Sequence, residues 1–430
     1  MTAEVVVLNS SAVALAADSA VTIGRDADKV YTSAEKLFQL SQVSPLGIMV
    51  YGNAELCGLP WETVIKTFRS RHGRDEFSTV RECAERFLEF LSGARQLFPR
   101  QRQNMLAKSM MESLLRYVRK QLRERLDREA EERDGLDDED LPQIVEEVAS
   151  EMLGRVRQHD FLVSFDKDGR ADVFEYFREA ADDAVNAVFG ELILTETARE
   201  TLVSIPLEML VRSHFSASTS GIVFAGFGKD EYMPSLVSYE LDGIVLDTPR
   251  WIQTGAHSVG DRMAAAVIPF AQKDMVQAFM DGVDQRLQRV MEDSTGQLFR
   301  GIVDVLVDFV RQSDPQLADE MVGRTASALE ELHGRLVRRW SRERQKRWQP
   351  IIEVVQSLPK DEVAAMAEAL VNLTKFQRRV SAGRETVGGP IDVAVITKGD
   401  GFVWTRRKHY FEPHLNPRVV GRMQLEGKTT

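Results

Sequence analysis

Thr2-Ala3-Glu4-Val5-Val6-Val7-Leu8, then Asn9-Ser10-Ser11, then Ala12-Val13-Ala14-Leu15-Ala16-Ala17-Asp18-Ser19 is the stretch whose reading decides the fold. Two apolar runs of similar length flank a short segment of turn-forming residues, which is the pattern of a β-hairpin. With Leu8 paired to Ala12 across a three-residue loop, the antiparallel register sets Thr2 opposite Asp18. A second hairpin, turning through Gly24 to Asp28, brings Lys36 back towards both. The run Gly47-Ile48-Met49-Val50-Tyr51-Gly52-Asn53 reads as a further buried strand ending in glycine. Residues 3–54 thus read as four short strands with a turn between each pair.

Taken together, Thr2 after Met1, Ala16-Ala17-Asp18-Ser19, Lys36 heading Lys36-Leu37-Phe38-Gln39-Leu40, and Gly47 through Ala54 resemble the proteasome β-subunit and bacterial HslV group. These are N-terminal-threonine members of the Ntn-hydrolase superfamily. The Thr2-to-Asp18 spacing is similar to that family's once Met1 is removed. The Asp18-to-Lys36 stretch is longer, which a wider turn at Arg25-Asp26-Ala27 absorbs. The resemblance covers the first fifty to sixty residues, is weaker at 222–243 and 388–402, and is absent elsewhere. It implies an α+β chain folded as a four-layer αββα sandwich with large helical insertions. It also implies N-terminal-threonine hydrolysis of amide bonds, most naturally peptide bonds, and assembly of copies into a homo-oligomeric ring. A separate unfoldase is a possible partner.

The chemistry of those residues fits. A threonine hydroxyl is not ionised at neutral pH and needs a base within hydrogen-bonding reach. An α-amine on the same residue, with an ordinary pKa of about 7.7–8.0, is suited to that work. An ammonium nearby lowers the amine's pKa, and a carboxylate keeps that ammonium in place. Lys36 and Asp18 take these parts, and the Gly52 N–H is the candidate oxyanion donor. Thr2, Asp18, Lys36 and Gly52 are therefore the expected catalytic set. Alone, each has an ordinary explanation: a residue after the initiator, a turn cap, a strand-edge lysine, a turn glycine.

Departures from the family pattern concern supporting residues. Its Gly-Ser-Gly loop maps to Pro269-Phe270-Ala271-Gln272, which lacks a hydroxyl, leaving Gln272 as the hydrogen-bonding substitute. Its supporting acid and serine map to Arg384-Glu385-Thr386-Val387-Gly388-Gly389, where Glu385 or Thr386 would serve and Val387 stands at the serine position.

Composition narrows the remaining classes. With 43% hydrophobic and 28% charged residues, the chain has material for an ample core. A net charge of −11 argues against a nucleic-acid partner. Basic runs such as Arg338-Arg339 and Arg406-Arg407-Lys408 read as solvated faces. Cys57 and Cys83 make neither a disulfide framework nor a thiolate metal site. The early apolar runs are not a secretory leader, since Glu4 is acidic and no Lys or Arg precedes Arg25. No segment approaches a membrane span. The expectation is a cytoplasmic protein without cofactor. The histidines are scattered singly, and neither a serine-hydrolase elbow nor a phosphate loop is present.

The whole chain, 1–430, reads as one elaborated domain, with helical insertions at 93–157 and 290–350. Helices are expected from Trp61 to about Arg71, from Ser78 to Leu91, and through the charge-dense stretch 100–157, broken by an acidic turn at 134–141. Phe161 to Tyr176 reads as a hairpin turning on Asp166-Lys167-Asp168-Gly169. Ile222–Gly228 and Leu236–Leu241 read as strands with a turn at Asp242-Gly243. Arg262–Pro269 reads as a strand and Asp274–Met291 as a helix. Further helices over 301–309, 317–339 and 354–376 precede a last hairpin around Lys398-Gly399-Asp400-Gly401. The alternative from another class is a catalytically inactive proteasome-like scaffold that binds a protein partner through its helical insertions.

Overall fold

The computed structural model describes residues 2–23, 29–133, 140–215, 219–260, 263–312, 314–381, 387–409, 411–418 and 421. In chain order the first strands are β1 (Ala3–Asn9), β2 (Val13–Ala17), β3 (Val21–Ile23), β4 (Lys29–Tyr31), β5 (Leu37–Gln39), β6 (Leu46–Gly52), β7 (Glu55–Leu56) and β8 (Leu59–Pro60). Helices α1 (Trp61–His72), α2 (Val80–Gly93), α3 (Arg100–Arg133), α4 (Leu141–Arg157), α5 (Lys167–Phe189) and α6 (Glu196–Val211) follow. Next come β9 (Ser220–Gly226), β10 (Ser235–Val245), β11 (Thr248–Ser258) and β12 (Ala265–Ala271), then α7 (Asp274–Asp281), α8 (Gln285–Arg311), α9 (Pro315–Ser357) and α10 (Lys360–Val380). Strands β13 (Asp392–Thr397) and β14 (Gly401–Arg406) end the described sheets. The chain is α+β and divides into two compact units, Met1–Leu37 with Val259–Thr430, and Phe38–Ser258.

The first unit is built on an antiparallel sheet in the order β12-β1-β2-β13-β14. One face carries Val5, Val7, Ala14, Ala16, Val393 and Val395, which share a core with Val363, Ala367, Leu370 and Val371 of α10. Alanines in β2 let the helix approach closely, and the helical positions recur at the three-to-four spacing a core-facing stripe needs. Alternation leaves Glu4, Val6, Leu8, Leu15 and Ile396 on the other face, all buried.

The β1–β2 register differs from the expectation by one residue. Leu8 pairs with Val13 and Glu4 with Ala17, so the loop is Ser10-Ser11 and Ala3, not Thr2, stands opposite Asp18. Asn9 is the cause, because it joins the ladder instead of the loop. Its N–H donates to Ala12 O, while its Oδ1 accepts from the Ser11 N–H, the Ser11 hydroxyl and the Ala12 N–H. Its Nδ2 donates to Val355 O and Leu358 O, at and just beyond the carboxyl end of α9.

The second unit holds the antiparallel sheet β11-β10-β9-β6-β5. Trp61, Ile65 and Phe68 of α1 and Phe87 and Leu91 of α2 pack with Ile48, Val50, Ile222, Phe224 and Tyr239 of that sheet. Edge-on ring pairs Phe68–Phe87 at 5.0 Å and Phe87–Phe224 at 5.4 Å fix their orientation. Helices α3 to α6 share a separate core that includes Leu115, Val148, Val185 and Leu210.

Three further expectations are corrected. The segment from Phe161 to Tyr176 is not a hairpin. Asp166 Oδ1 accepts from Gly169 N at 2.7 Å and caps α5, and Val173, Phe177, Ala181 and Val185 continue with helical spacing. Strand β10 does not turn at Asp242-Gly243; it bulges there, and Gly243 lies where a Cβ would come within 2.3 Å of Leu106. Its turn is Leu246-Asp247, with φ of 48° and 66°, values that usually call for Asn or Gly. Gln103 holds it by accepting from Asp247 N and donating to Asp247 Oδ1, so a helix side chain supplies what the turn sequence lacks. The expected helix from Asp274 to Met291 breaks at Gly282, whose φ of 74° ends α7 before Asp284 caps α8. The wide turn at 25–27, the acidic turn from 134 and the candidates Glu385 and Thr386 lie outside the described residues.

Candidate active site

Strand alternation sets Thr2 and Glu4 on one side of the chain, and both are buried. Thr2 Oγ1 donates to Glu4 Oε2 at 3.1 Å. Thr2 O accepts from Gln272 N at 3.2 Å, tying the start of the chain to the end of β12. Ala271, just before, has φ 57°. The Gln272 side chain accepts from Arg378 Nε at its Oε1, 2.6 Å away.

Asp18 follows β2 directly and is surrounded by donors. Its Oδ1 accepts from Ala3 N at 3.2 Å and from Lys36 Nζ at 2.5 Å; its Oδ2 accepts from Ala20 N at 3.2 Å and Gly388 N at 2.9 Å. The Gly388-Gly389-Pro390 segment is fastened there by Ser19, whose N–H donates to Gly388 O and whose hydroxyl donates to Pro390 O. Gly389 has φ 75° and its Cβ position is 2.7 Å from Thr32 Cβ, so only glycine lets this segment lie so close.

Lys36, 6% exposed, reaches two carboxyl groups: Asp18, and Glu4 Oε1 at 3.5 Å. The Glu4 contact lacks hydrogen-bond geometry. Burial pushes the Glu4 carboxyl up from 4.5 to about 8; the Lys36 charge opposes the shift, Asp18 adds to it, and the hydrogen bond from Thr2 opposes it. Two carboxylates beside one ammonium would leave a buried net charge, and a neutral Glu4 removes it.

The structure thus brings Thr2, Asp18 and Lys36 of the expected set together and adds Glu4. The sequence reading gives Glu4 no part in the site. Its signal was there to use, a single acid inside an apolar strand, two residues from Thr2 and therefore on the same side. Gly52 belongs to the second unit. It closes β6 opposite Ser220 with φ 81°, and a Cβ there would lie 2.4 Å from Thr219 O. Among the described residues, no cluster of His, Cys, Asp and Glu could hold a metal ion.

Chemically, the arrangement offers a hydroxyl with a carboxyl acceptor whose pKa sits near neutrality, beside a lysine fixed by a carboxylate. These features define an α+β protein with two antiparallel five-stranded sheets and a buried Thr–Glu–Asp–Lys cluster. No protein-family model matches the chain, and no curated protein matches it. Among solved structures, the Anbu (Gly-1) mutant from Hyphomicrobium sp. strain MC1 is similar over 100% of this chain and 98% of that chain, at 10% identity and a TM-score of 0.31. Among the described residues, no helix is long and apolar enough to cross a membrane.

Proposed function

We propose that this chain is an N-terminal-threonine hydrolase of the proteasome and HslV kind, folded as an αββα sandwich and cleaving amide bonds, chiefly peptide bonds, in the cytoplasm. The observation that carries the reading is Lys36 held 2.5 Å from Asp18 and 3.5 Å from Glu4, with Glu4 in turn accepting from the Thr2 hydroxyl. Removal of Met1 converts the Thr2 amide nitrogen into a free amine. The Thr2 hydroxyl then attacks the scissile carbonyl while the amine takes its proton. The C–N bond breaks, the leaving amine departs with that proton, and water hydrolyses the ester left on Thr2. Lys36 lowers the amine's proton affinity, Asp18 orients Lys36, and Glu4 is a second acceptor within reach of the hydroxyl. The Gly52 N–H as oxyanion donor rests on the family resemblance alone. Protein or peptide substrates, further copies of the chain and a separate unfoldase are the partners this reading implies.

Intact-mass measurement tests it, together with labelling by a threonine-directed epoxyketone or β-lactone. The expected result is loss of one methionine and labelling of wild type but not of Thr2→Ala. Active protein that keeps Met1, or hydrolysis undiminished in Thr2→Ala, would overturn it. A second reading, the non-catalytic scaffold, is favoured by the burial of Thr2, 3% exposed with its hydroxyl already bonded. That reading expects Met1 retained, no label, and a Thr2→Ala variant with an unaltered cellular role.

A further inference from the structure

Where α9 passes the α7–α8 turn, a cleft of about 510 Å³ opens, and Val283, Met291 and Trp340 form its apolar wall. Small-molecule sites run to ~300–1,000 Å³ and combine apolar walls with a few placed polar groups. The lining comes from α7, α8, α9 and the turn between the first two, all within one unit. That turn admits a close approach. Gly282 has φ 74°, and Arg347 Nε stands 2.5 Å from where a Cβ would be, so glycine lets the Arg347 side chain lie over the turn.

The charges lining the cleft do not cancel. Arg344, Lys346 and Arg347 are cationic, and Asp281 and Glu343 anionic. Glu343 takes Lys346 at 2.8 Å. Arg347 lies against Gly282, the residue after Asp281 and just past the carboxyl end of α7, so a carboxylate and the negative end of a helix are its neighbours. Arg344 is left over. It is half-buried and donates to neutral oxygens, Gln288 Oε1 and Ser341 Oγ. The Gln288 amide is fixed in that orientation because its Nε2 donates to Glu292 Oε1 at 2.6 Å. A guanidinium has more N–H donors than these two acceptors use, and a cation partly withdrawn from water gains from an anion. Trp340 and Arg344, four residues apart on α9, share one helix face, so the apolar wall and the spare cation border the same space.

We propose that this cleft binds a small amphipathic monoanion, an apolar body ending in one carboxylate. Arg344 takes the carboxylate, and Trp340, Met291 and Val283 cover the apolar body. The lining selects against the alternatives. A cationic amphiphile meets an excess of positive charge, a neutral one leaves Arg344 without its anion, and a compact ion such as inorganic phosphate leaves the apolar wall uncovered. The site uses no residue of the Thr2 cluster, so its test is separate from that of the hydrolase reading.

The test uses the full chain and decanoate as probe, with decanol and decylamine as its neutral and cationic counterparts, all below the concentrations at which they aggregate. Calorimetry should show saturable binding of decanoate, tighter than that of either counterpart. 10-Bromodecanoate, whose bromine quenches a neighbouring indole, should quench wild type saturably, and Trp340→Phe should remove that component. Arg344→Gln should weaken decanoate at least ~10-fold and leave decanol unmoved, since it removes a charge-assisted contact and no apolar one. Arg344→Lys keeps the charge and should keep most of the affinity, which separates charge from packing, and Arg344→Glu should turn the preference towards decylamine. Arg342→Gln, exposed and outside the lining, should change nothing. Circular dichroism melts matching wild type verify that each variant is folded. No saturable binding of decanoate, decanol or decylamine bound as tightly, Arg344→Gln binding decanoate like wild type, or quenching that survives Trp340→Phe would overturn the proposal.

Discussion

Glu4→Gln isolates the most unusual group in the first unit. In the folded chain the Glu4 carboxyl titrates at about 8 against an ordinary 4.5. Below pH 4.5 both folded and unfolded chains carry the proton, and the group costs nothing. Between 4.5 and about 8 the unfolded chain has lost the proton and the folded one keeps it, so stability falls as pH rises, then levels off. Each unit of pH in that window is worth about 1.36 kcal/mol, which makes roughly 2.5 kcal/mol between pH 5 and pH 7. Glutamine is neutral throughout and still offers one oxygen to the Thr2 hydroxyl. Its amide nitrogen faces Lys36, a pH-independent cost of about 1 kcal/mol. The variant should therefore gain on wild type by about 2.5 kcal/mol from pH 5 to pH 7, a relative change of roughly 5–10 °C in melting temperature. Parallel melts at pH 5, 6, 7 and 8 measure it, and the other titrating groups cancel in the difference. A wild-type-minus-variant difference that does not move with pH would refute a proton-bearing Glu4.

Two further substitutions probe the same cluster. Lys36→Ala leaves Asp18 and Glu4 without their common cation and should cost about 3–5 kcal/mol by denaturant unfolding, as removing one partner of a buried ion pair does; equal unfolding midpoints would show that the ammonium does not neutralise the site. Gly389→Ala must move Thr32, whose Cβ is 2.7 Å and whose carbonyl oxygen is 2.9 Å from the new methyl, at a backbone φ of 75°. It should lose at least ~1–3 kcal/mol and, by displacing Gly388 from Asp18, slow labelling of Thr2. Unchanged melting with unchanged labelling would detach this segment from the site.

Much of the first unit was readable because its signals are local. An apolar run, a polar turn and a second apolar run specify a hairpin whatever surrounds them, and Asp18 directly after the second run had to fall near the start of the first. The one-residue error in register came from Asn9, whose side chain serves both its own turn and the end of α9 some 346 residues away. A turn count made from neighbours alone has no access to that demand. The same reason hid the Leu246-Asp247 turn, since Gln103 stabilises it from another element. At Asp166 the failure was different: Asp-Lys-Asp-Gly serves equally as a hairpin turn or as the first turn of a capped helix. The apolar spacing from Val173 to Val185 decides between them, and it lies beyond the four residues that suggested the hairpin.

Glu4 also changes how the proposed chemistry should be read. An acid in an otherwise apolar strand costs stability, and a chain selected for packing alone would carry Val or Ile there. Near neutral pH its proton is finely balanced, because burial favours keeping it while Lys36 and the Thr2 hydroxyl favour losing it. In a mature chain beginning at Thr2, the free amine has an ordinary pKa of about 7.7–8.0, close to that of Glu4. Amine and carboxyl would then compete for one proton beside the nucleophile, and neither titration would belong to one residue. The activity-pH profile of such a site has its lower limb set by the pair. Glu4→Gln should move that limb by leaving the amine to titrate alone, whereas a substitution that only loosens packing lowers the plateau and leaves the limb in place.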